Sequence, residues 1–170
     1  AKHLIEDEPF AILLPDDLFF SEDSCLNQLK REYIKTNSSV IAVNEIDEDN
    51  IHKYGVIQPG SIEKNIIEVK GIVEKPIANE APSNIAVCGR YILNSSIFNY
   101  LDEVNPDKSG EIQLTDAIKL MLEKEKVIAC NYQGEKFDCG SKLGFVEATL
   151  AISLRDNDIG HEIKNLIKKL

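Results

Sequence analysis

The stretch FAILLPDD, residues 10–17, decides the fold that this sequence predicts. Five consecutive apolar residues that end in a Pro-Asp-Asp turn are typical of a fully buried strand in a parallel sheet. Residues 23–36 then carry apolar side chains at helical spacing, and residues 39–43 form a second, mostly apolar run. A strand, a helix and a strand in this order predict an α/β layered sheet with a right-handed crossover.

The rest of the chain continues the alternation of strands and helices. Residues 56–57 and 66–73 are predicted strands with a hairpin-like turn at Pro59-Gly60, and residues 85–93 form another that Cys88-Gly89-Arg90 should break. Helices are predicted over residues 95–104, from Thr115 onward and from residue 143, with a weak point at 156–160, and a strand over 127–132. Because no repeat or linker divides the sequence, residues 1–170 are predicted to form a single α/β unit.

The overall composition is that of an ordinary globular protein. Of the 170 residues, 43% are hydrophobic and 28% are charged, which excludes a disordered, collagen-like or coiled-coil chain. The 29 acidic residues outnumber the 19 basic ones, and the resulting net charge of -10 disfavours binding to nucleic-acid backbones. No apolar run approaches the roughly 20 residues that span a membrane, and no secretory signal opens the sequence, so we expect a cytoplasmic protein.

Motifs that carry several common chemistries are absent from the sequence. It contains no P-loop, G-x-G-x-x-G, H-E-x-x-H or G-x-S-x-G motif. The three histidines lack ligand spacing and are interpreted as surface residues. The four cysteines show no C-x-x-C spacing, and we expect them to be reduced thiols. Zinc chemistry and Ser-His-Asp catalysis are therefore poorly supported.

Acidic residues that follow two predicted strands are candidate metal ligands. Asp16 and Asp17 come directly after the first apolar run, where open α/β sheets bind their ligands. Mg²⁺ prefers such oxygen ligands and usually takes one or two carboxylates together with substrate phosphates. Asp138 follows a strand-like segment and precedes Gly140, so with Asp16 it would complete a site built from two distant strand ends. In the alternative interpretation, these aspartates are ordinary turn or cap residues.

A second group of candidates lies where the stretch 66–73 ends. Glu74 and Lys75 are adjacent and precede Pro76, which fixes the geometry with which the chain leaves the strand. A glutamate can accept hydrogen bonds from sugar hydroxyls, and a lysine can neutralise a phosphate. Gly55 would allow a ligand to approach the backbone closely. The alternatives are a solvated strand end with a weak ion pair and, for the glycine, a common turn.

Six segments, taken in order, resemble a known family. They are LLPDD (13–17), KYGVI (53–57), VEKP (73–76), GRYIL (89–93), EIQLTDAI (111–118) and DCGSKLG (138–144). Together they resemble the bacterial UTP–glucose-1-phosphate uridylyltransferases, which are nucleotidyltransferases with a Rossmann-like fold. The resemblance implies a mixed, mostly parallel sheet that is flanked by helices and incomplete at its N-terminus.

The resemblance also implies a reaction and a set of site residues. The family transfers a uridylyl group from UTP to glucose 1-phosphate, yielding UDP-glucose and pyrophosphate, with Mg²⁺ as cofactor. By this resemblance Asp16 and Asp138 would hold the metal. Glu74 would accept hydrogen bonds from glucose hydroxyls, and Lys75 would contact the phosphates. The backbone at Gly55 would lie against the sugar ring.

The sequence also departs from the family pattern. The glycine-rich G-x-G-T-R loop and the P-K-E-M-L-P segment of the family have no counterpart here, so we expect a sugar-binding and C-terminal part that is inactive alone. A thymidylyl- or other sugar-1-phosphate nucleotidyltransferase, and a non-catalytic sugar-nucleotide-binding module, remain alternatives. The family implies small-molecule substrates and a homo-oligomer, with no nucleic-acid or membrane partner. Thr115 is interpreted as a helix cap, and neither Asp17 nor Arg90 is assigned a role.

Overall fold

The computed structural model describes residues 2–170 as an alternation of helices and strands. The α-helices are α1 (Lys2–Ile5), α2 (Cys25–Thr36), α3 (Ile97–Glu103), α4 (Leu114–Met121), α5 (Lys142–Arg155) and α6 (Gly160–Ile167). The strands are β1 (Phe10–Leu13), β2 (Asp17–Phe20), β3 (Ser39–Glu45), β4 (Val56–Glu63), β5 (Ile66–Val73), β6 (Ile85–Leu93), β7 (Val127–Asn131) and β8 (Glu135–Asp138). Short 3₁₀ helices cover Glu48–Lys53 and Ala78–Glu80. The predicted helices, including the interruption between α5 and α6, are confirmed.

Six of these strands form one mixed sheet in the order β1-β6-β3-β7-β5-β4. Strands β3 and β7 pair in parallel, whereas β6 is antiparallel to both β1 and β3, and β5 is antiparallel to both β4 and β7. The mixed α/β sheet flanked by helices is confirmed, but among the described residues it is mostly antiparallel rather than mostly parallel, because only the pairing of β3 with β7 is parallel. Strands β1 and β3 run in the same direction, as the strand–helix–strand pattern requires, but β6 lies between them.

Strand β1 is not the fully buried parallel strand that the apolar run predicts. It lies at the edge of the sheet and pairs antiparallel with β6, from Phe10 opposite Leu93 to Leu13 opposite Arg90. Its residues alternate between partly buried and exposed. An edge strand covers the core with one face only, so every second apolar side chain points away from it.

Two other local predictions need correction. Cys88-Gly89-Arg90 does not end β6, which runs from Ile85 to Leu93, but the pairing of β6 with β3 is irregular there, because the register shifts between Tyr91 opposite Ile41 and Val87 opposite Val43. Pro59 and Gly60 lie inside β4 rather than in a turn. Since β4 lies at the end of the sheet order and its register against β5 shifts at Pro59, the missing N–H of the proline is tolerated. The chain turns instead at Lys64, whose φ is +57°.

Helices cover both faces of the sheet and bury a core on each. On one face Ile118 and Met121 of α4 pack in a cluster with Ile41 of β3. On the other face Leu29 of α2 packs in a cluster with Val40 of β3. Because neighbouring residues of β3 point to opposite faces, this one strand contributes to both clusters and ties the layers together.

Strands β2 and β8 form a separate two-stranded sheet that carries residues of the site. The two strands are antiparallel, with Asp17 directly opposite Asp138. The pairing brings together two segments that are more than a hundred residues apart in the sequence.

No helix within residues 2–170 is both long and apolar enough to cross a membrane. The four cysteines are free, in agreement with the prediction of reduced thiols.

Candidate active site

One open cleft contains every site residue that the sequence predicts. It has a volume of about 380 Å³, and its lining includes Asp16, Gly55, Glu74, Lys75 and Asp138. These residues come from the ends of β5 and β8 and from the loops before β2 and β4. The antiparallel pairings of β2 with β8 and of β4 with β5 hold these four points of the chain together. The cleft therefore combines an acidic pair with an adjacent Glu-Lys pair.

The neighbouring residues Asp16 and Asp17 have different surroundings. Asp16 is exposed and faces the cleft, whereas Asp17 begins β2 and is buried. The Asp17 carboxylate accepts a hydrogen bond from the Gly89 N–H at 2.6 Å. It also forms an ion pair with the Lys136 ammonium at 2.9 Å. The glycine is required here, because a Cβ on residue 89 would come within 2.7 Å of the Asp17 carboxylate. Asp17 therefore supports the site, and Asp16 remains available to a ligand.

The carboxylates of Asp16 and Asp138 converge on Gly140. An oxygen of each lies about 3 Å from the position that a Cβ on Gly140 would occupy, at 3.0 Å for Asp16 and 3.1 Å for Asp138. The N–H of Cys139 also donates to the backbone oxygen of Asp16 at 2.7 Å, which ties the two segments together. Within residues 2–170 there is no cluster of three or more metal-ligating side chains. Two converging carboxylates still fit Mg²⁺, which takes its other ligands from water and substrate phosphates.

The orientation of Asp138 is set by two donors on opposite oxygens. Its Oδ1 accepts the Gly140 N–H at 3.1 Å, and its Oδ2 accepts the Tyr54 hydroxyl at 3.1 Å. Burial raises the pKa of the Tyr54 phenol, so this side chain keeps the proton that it donates. The ammonium group of Lys136 lies 4.7 Å from the centre of the Tyr54 ring, a cation–π distance. The Tyr54 ring therefore lies between the buried ion pair of Lys136 with Asp17 and the cleft.

The Glu-Lys pair leaves β5 in an unusual backbone conformation. Lys75 has φ of +42°, a left-handed value that is uncommon for a residue with a side chain. Its backbone N–H donates to the backbone oxygen of Tyr54 at 3.1 Å. The Lys75 ammonium is half-exposed and lies 3.6 Å from Glu74 Oε1. The turn therefore directs the Glu74 carboxylate into the cleft and leaves the Lys75 side chain free to reach an anion.

Thr115 is not the helix cap that the sequence predicts. The cap position of α4 is Gln113, and Thr115 lies one residue inside the helix. Its hydroxyl instead donates to Glu74 Oε2 at 2.8 Å. A cap residue precedes the helix and accepts a backbone N–H, whereas Thr115 is already helical and its hydroxyl donates to a carboxylate at the end of β5.

Gly55 is the point at which the backbone itself lines the cleft. A Cβ at this position would come within 2.7 Å of Thr115 Cγ2 and 3.1 Å of Glu74 Oε2, so no larger residue fits without displacing its neighbours. The Gly55 oxygen accepts the N–H of Val87 on β6 at 2.8 Å. The contact continues the pairing of β4 with β6 and keeps the Gly55 backbone in place in the lining of the cleft.

The sequence misses four residues that support the site. Tyr54 and Thr115 lie inside the quoted segments KYGVI and EIQLTDAI, but nothing local indicates that their hydroxyls bond to distant carboxylates. Lys136 has no sequence signal at all, and Asp17 is indistinguishable from Asp16 by pattern. Each role depends on a contact between residues far apart in the chain.

Comparison with known proteins supports the resemblance. A family model described as nucleotidyl transferase matches residues 1–154. The chain is 44% identical to the UTP–glucose-1-phosphate uridylyltransferase of Staphylococcus epidermidis over all 170 residues, and it covers 59% of that protein. The chain therefore spans about three fifths of the length of such curated relatives.

Solved structures agree with the sequence comparison. A UDP-glucose pyrophosphorylase complexed with UDP-glucose superimposes with a TM-score of 0.88 at 41% identity, over 91% of this chain and 60% of that one. The UTP-bound enzyme of Acinetobacter baumannii superimposes with a TM-score of 0.87 at 36% identity, over 100% and 59%. The family resemblance drawn from the six segments is thus confirmed, and the chain belongs to the nucleotidyl transferase family.

Proposed function

We propose that this chain is the sugar-phosphate-binding and metal-binding part of a UTP–glucose-1-phosphate uridylyltransferase. The observation that carries the proposal is the single cleft in which two converging carboxylates lie beside a Glu-Lys pair and the backbone of Gly55. The relatives and structural neighbours named above, which include a UTP complex and a UDP-glucose complex, support the same assignment.

The sugar would bind at the Glu-Lys pair. Glu74 has one oxygen engaged by Thr115, so its Oε1 is the oxygen available to sugar hydroxyls. The Gly55 backbone would lie against the sugar ring, since Gly55 lines the cleft beside Glu74. The half-exposed ammonium of Lys75 would bind the phosphate, where it offsets the negative charge that the acidic chain otherwise presents.

The metal would bind at Asp16 and Asp138. When bound, Mg²⁺ supplies neutralisation of the phosphate charge and a template for aligning the two substrates. Asp138 is kept in place by Tyr54 and Gly140, so its ligand oxygens need no reorganisation.

The reaction would need alignment and charge neutralisation rather than a covalent intermediate on the protein. A phosphate oxygen of glucose 1-phosphate attacks the α-phosphorus of UTP in line, the bond to the β-phosphate breaks, and pyrophosphate leaves. Lys75 would hold the attacking phosphate and offset its charge during this step. Glu74 and the Gly55 backbone would hold the sugar so that the attacking oxygen keeps its direction.

The proposal includes the expectation that these 170 residues do not catalyse the reaction alone. The test is pyrophosphate release from UTP and glucose 1-phosphate, with and without Mg²⁺. It compares the chain with a hybrid in which the chain replaces the aligned part of the Staphylococcus epidermidis relative. We expect release from the hybrid only and only with Mg²⁺. Release by the chain alone would refute the expected inactivity, and a folded hybrid that uses a sugar 1-phosphate other than glucose 1-phosphate would favour another sugar-1-phosphate nucleotidyltransferase. A folded hybrid that binds UDP-glucose but releases nothing would favour the non-catalytic module.

Two substitutions in the hybrid test the residue roles. Asp138→Ala should abolish Mg²⁺-dependent turnover with little loss of fold. Lys75→Ala should lower kcat/KM for glucose 1-phosphate by about 10- to 100-fold, because a hydrogen bond to a charged group contributes roughly 1.5–3 kcal/mol. Lys70→Ala is the matched control, since Lys70 is similarly exposed but pairs with Glu68 outside the cleft. Equal kinetics of the Lys75 and Lys70 variants would refute the phosphate role of Lys75.

We also propose that the protein acts in the cytoplasm and forms a homo-oligomer. UTP and sugar phosphates are intracellular compounds, which supports the location. Several apolar side chains of α5 and α6 are exposed, among them Leu143, Phe145 and Leu166, and apolar surface of this kind is often covered by a second subunit. The net charge of -10 supports small-molecule substrates rather than a nucleic-acid partner.

A further inference from the structure

Thr115 contacts Glu74 and Gly55, the two residues of the cleft that would face a sugar. Its hydroxyl donates to Glu74 Oε2 at 2.8 Å. Its methyl carbon lies 2.7 Å from the position that a Cβ on Gly55 would occupy. The same side chain therefore fixes one oxygen of the Glu74 carboxylate and fills the space next to the Gly55 Cα.

The helix that carries Thr115 is a rigid support for these contacts. Thr115 lies in the first turn of α4 and is itself 8% exposed. The following residues Ala117, Ile118 and Met121 are fully buried in the core that α4 shares with the sheet. A side chain anchored in this way cannot follow Glu74 if the carboxylate rotates, so the hydrogen bond holds the carboxylate in one orientation.

The consequence for Glu74 is that its two oxygens have separate tasks. Oε2 accepts the Thr115 hydroxyl, whereas Oε1 lies 3.6 Å from the Lys75 ammonium, and the Glu74 residue lines the cleft. Glu74 has three rotatable side-chain bonds, and ordering them when a ligand binds would reduce affinity. A carboxylate that is ordered beforehand does not incur that loss.

We infer that Thr115 is a positioning residue that orients Glu74 for the hydroxyl groups of a hexose, and so contributes to the choice of sugar. The inference rests on the proposed function, because it takes Glu74 as the residue that binds the sugar. Thr115 touches no reacting atom in this assignment. Its effect should appear in the recognition of sugar hydroxyls and not in the binding of the nucleotide.

The test measures binding of UDP-glucose by NMR to the hybrid with the Staphylococcus epidermidis relative described above, with the backbone amide of Gly55 as the local reporter. Three proteins are compared with the wild type: Thr115→Val, Thr115→Ser and the control Thr149→Val. Thr149 also lies in a helix, and its hydroxyl bonds to the Phe145 oxygen on an exposed surface of α5. Analogues of UDP-glucose that lack single hydroxyl groups, and UDP alone, are titrated in parallel.

We expect Thr115→Val to weaken UDP-glucose binding by up to about tenfold, because ordering one flexible side chain when a ligand binds corresponds to a change of this size. Thr115→Ser should restore binding, and Thr149→Val should not change it. At least one deoxy analogue should bind the wild type more weakly than UDP-glucose, and Thr115→Val should lose that discrimination. Binding of UDP should be the same in all four proteins.

The outcomes separate this inference from the proposed function. If the wild type binds UDP-glucose and Thr115→Val binds it equally well, the role of Thr115 is refuted while the proposed function stands. A uniform loss of affinity for UDP and for every analogue would also refute it, since that pattern reports a general disturbance of the fold. If the wild type shows no saturable binding of UDP-glucose, the proposed function is overturned together with this inference.

Discussion

The different surroundings of two adjacent aspartates lead to a quantitative prediction about stability. Asp17→Asn removes the charge that pairs with Lys136 but keeps an oxygen that can accept the Gly89 N–H. The pair is largely withdrawn from water, since the side chains of Lys136 and Asp17 are 15% and 12% exposed. The substitution therefore leaves an ammonium group in a mostly buried position without its carboxylate.

The expected cost follows from this geometry. Breaking a fully buried ion pair on one side costs about 3–5 kcal/mol. Lys136 keeps some contact with solvent and its position over the Tyr54 ring, which offsets part of the loss. We therefore expect the free energy of unfolding to fall by about 2–3 kcal/mol for Asp17→Asn. Asp16→Asn is the matched control and should change it by less than about 0.5 kcal/mol, because Asp16 is exposed.

The assay is urea unfolding of the 170-residue chain in the absence of Mg²⁺, followed by circular dichroism. With a slope of about 2 kcal/mol per molar urea, the Asp17 variant should unfold at a urea concentration roughly 1 M lower. The double variant Asp17→Asn/Lys136→Met should be more stable than the sum of the single effects predicts, by at least about 1 kcal/mol. Equal unfolding midpoints for Asp16→Asn and Asp17→Asn, or strict additivity in the cycle, would refute the reasoning.

Two further predictions concern pH and packing. Burial raises the pKa of the Cys88 thiol to about 12, above the 9.0 that is ordinary for an unfolded chain, so its stabilising contribution is complete below 9.0 and lost as pH rises toward 12. Between pH 9 and 12 the unfolding free energy of Cys88→Ala, measured by urea unfolding at each pH, should therefore fall less steeply with pH than that of the wild type, by up to about 1.4 kcal/mol per pH unit. Identical pH dependence of the two proteins would contradict the burial argument. Gly144→Ala should destabilise the chain by about 1–3 kcal/mol, because the added methyl group would overlap the Asp138 backbone oxygen. The exposed control Glu147→Ala on the same helix should leave the unfolding midpoint unchanged. A Gly144 variant as stable as this control would contradict the prediction, because it would show that the backbone at Asp138 moves aside without cost.

Some parts of the fold could be predicted because their causes are local. The helix over Cys25–Thr36 follows from apolar spacing and from Ser24, whose hydroxyl accepts the Asn27 N–H at its start. The break between α5 and α6 follows in the same way from turn-forming residues. Short-range patterns of this kind are complete within a few residues, so they can be interpreted without knowledge of the rest of the chain.

Strand partners could not be predicted in the same way. The apolar run at 10–14 is compatible with an edge strand and with a central strand, because both need apolar side chains toward the core. The insertion of β6 between β1 and β3 is decided by hydrogen bonds across some eighty residues, such as Phe10 opposite Leu93. Nothing in either segment alone specifies that pairing.

The sequence by itself determined the α/β class, the main helices and the set of chemically capable residues, including Asp16, Glu74 and Asp138. Only the tertiary structure decided how those residues are used. It separates Asp16 from Asp17 by the pairing of β2 with β8 and by the Gly89 N–H. The physical reason is that residue type and local spacing determine what a side chain can donate or accept, whereas its partner depends on which distant segment packs against it.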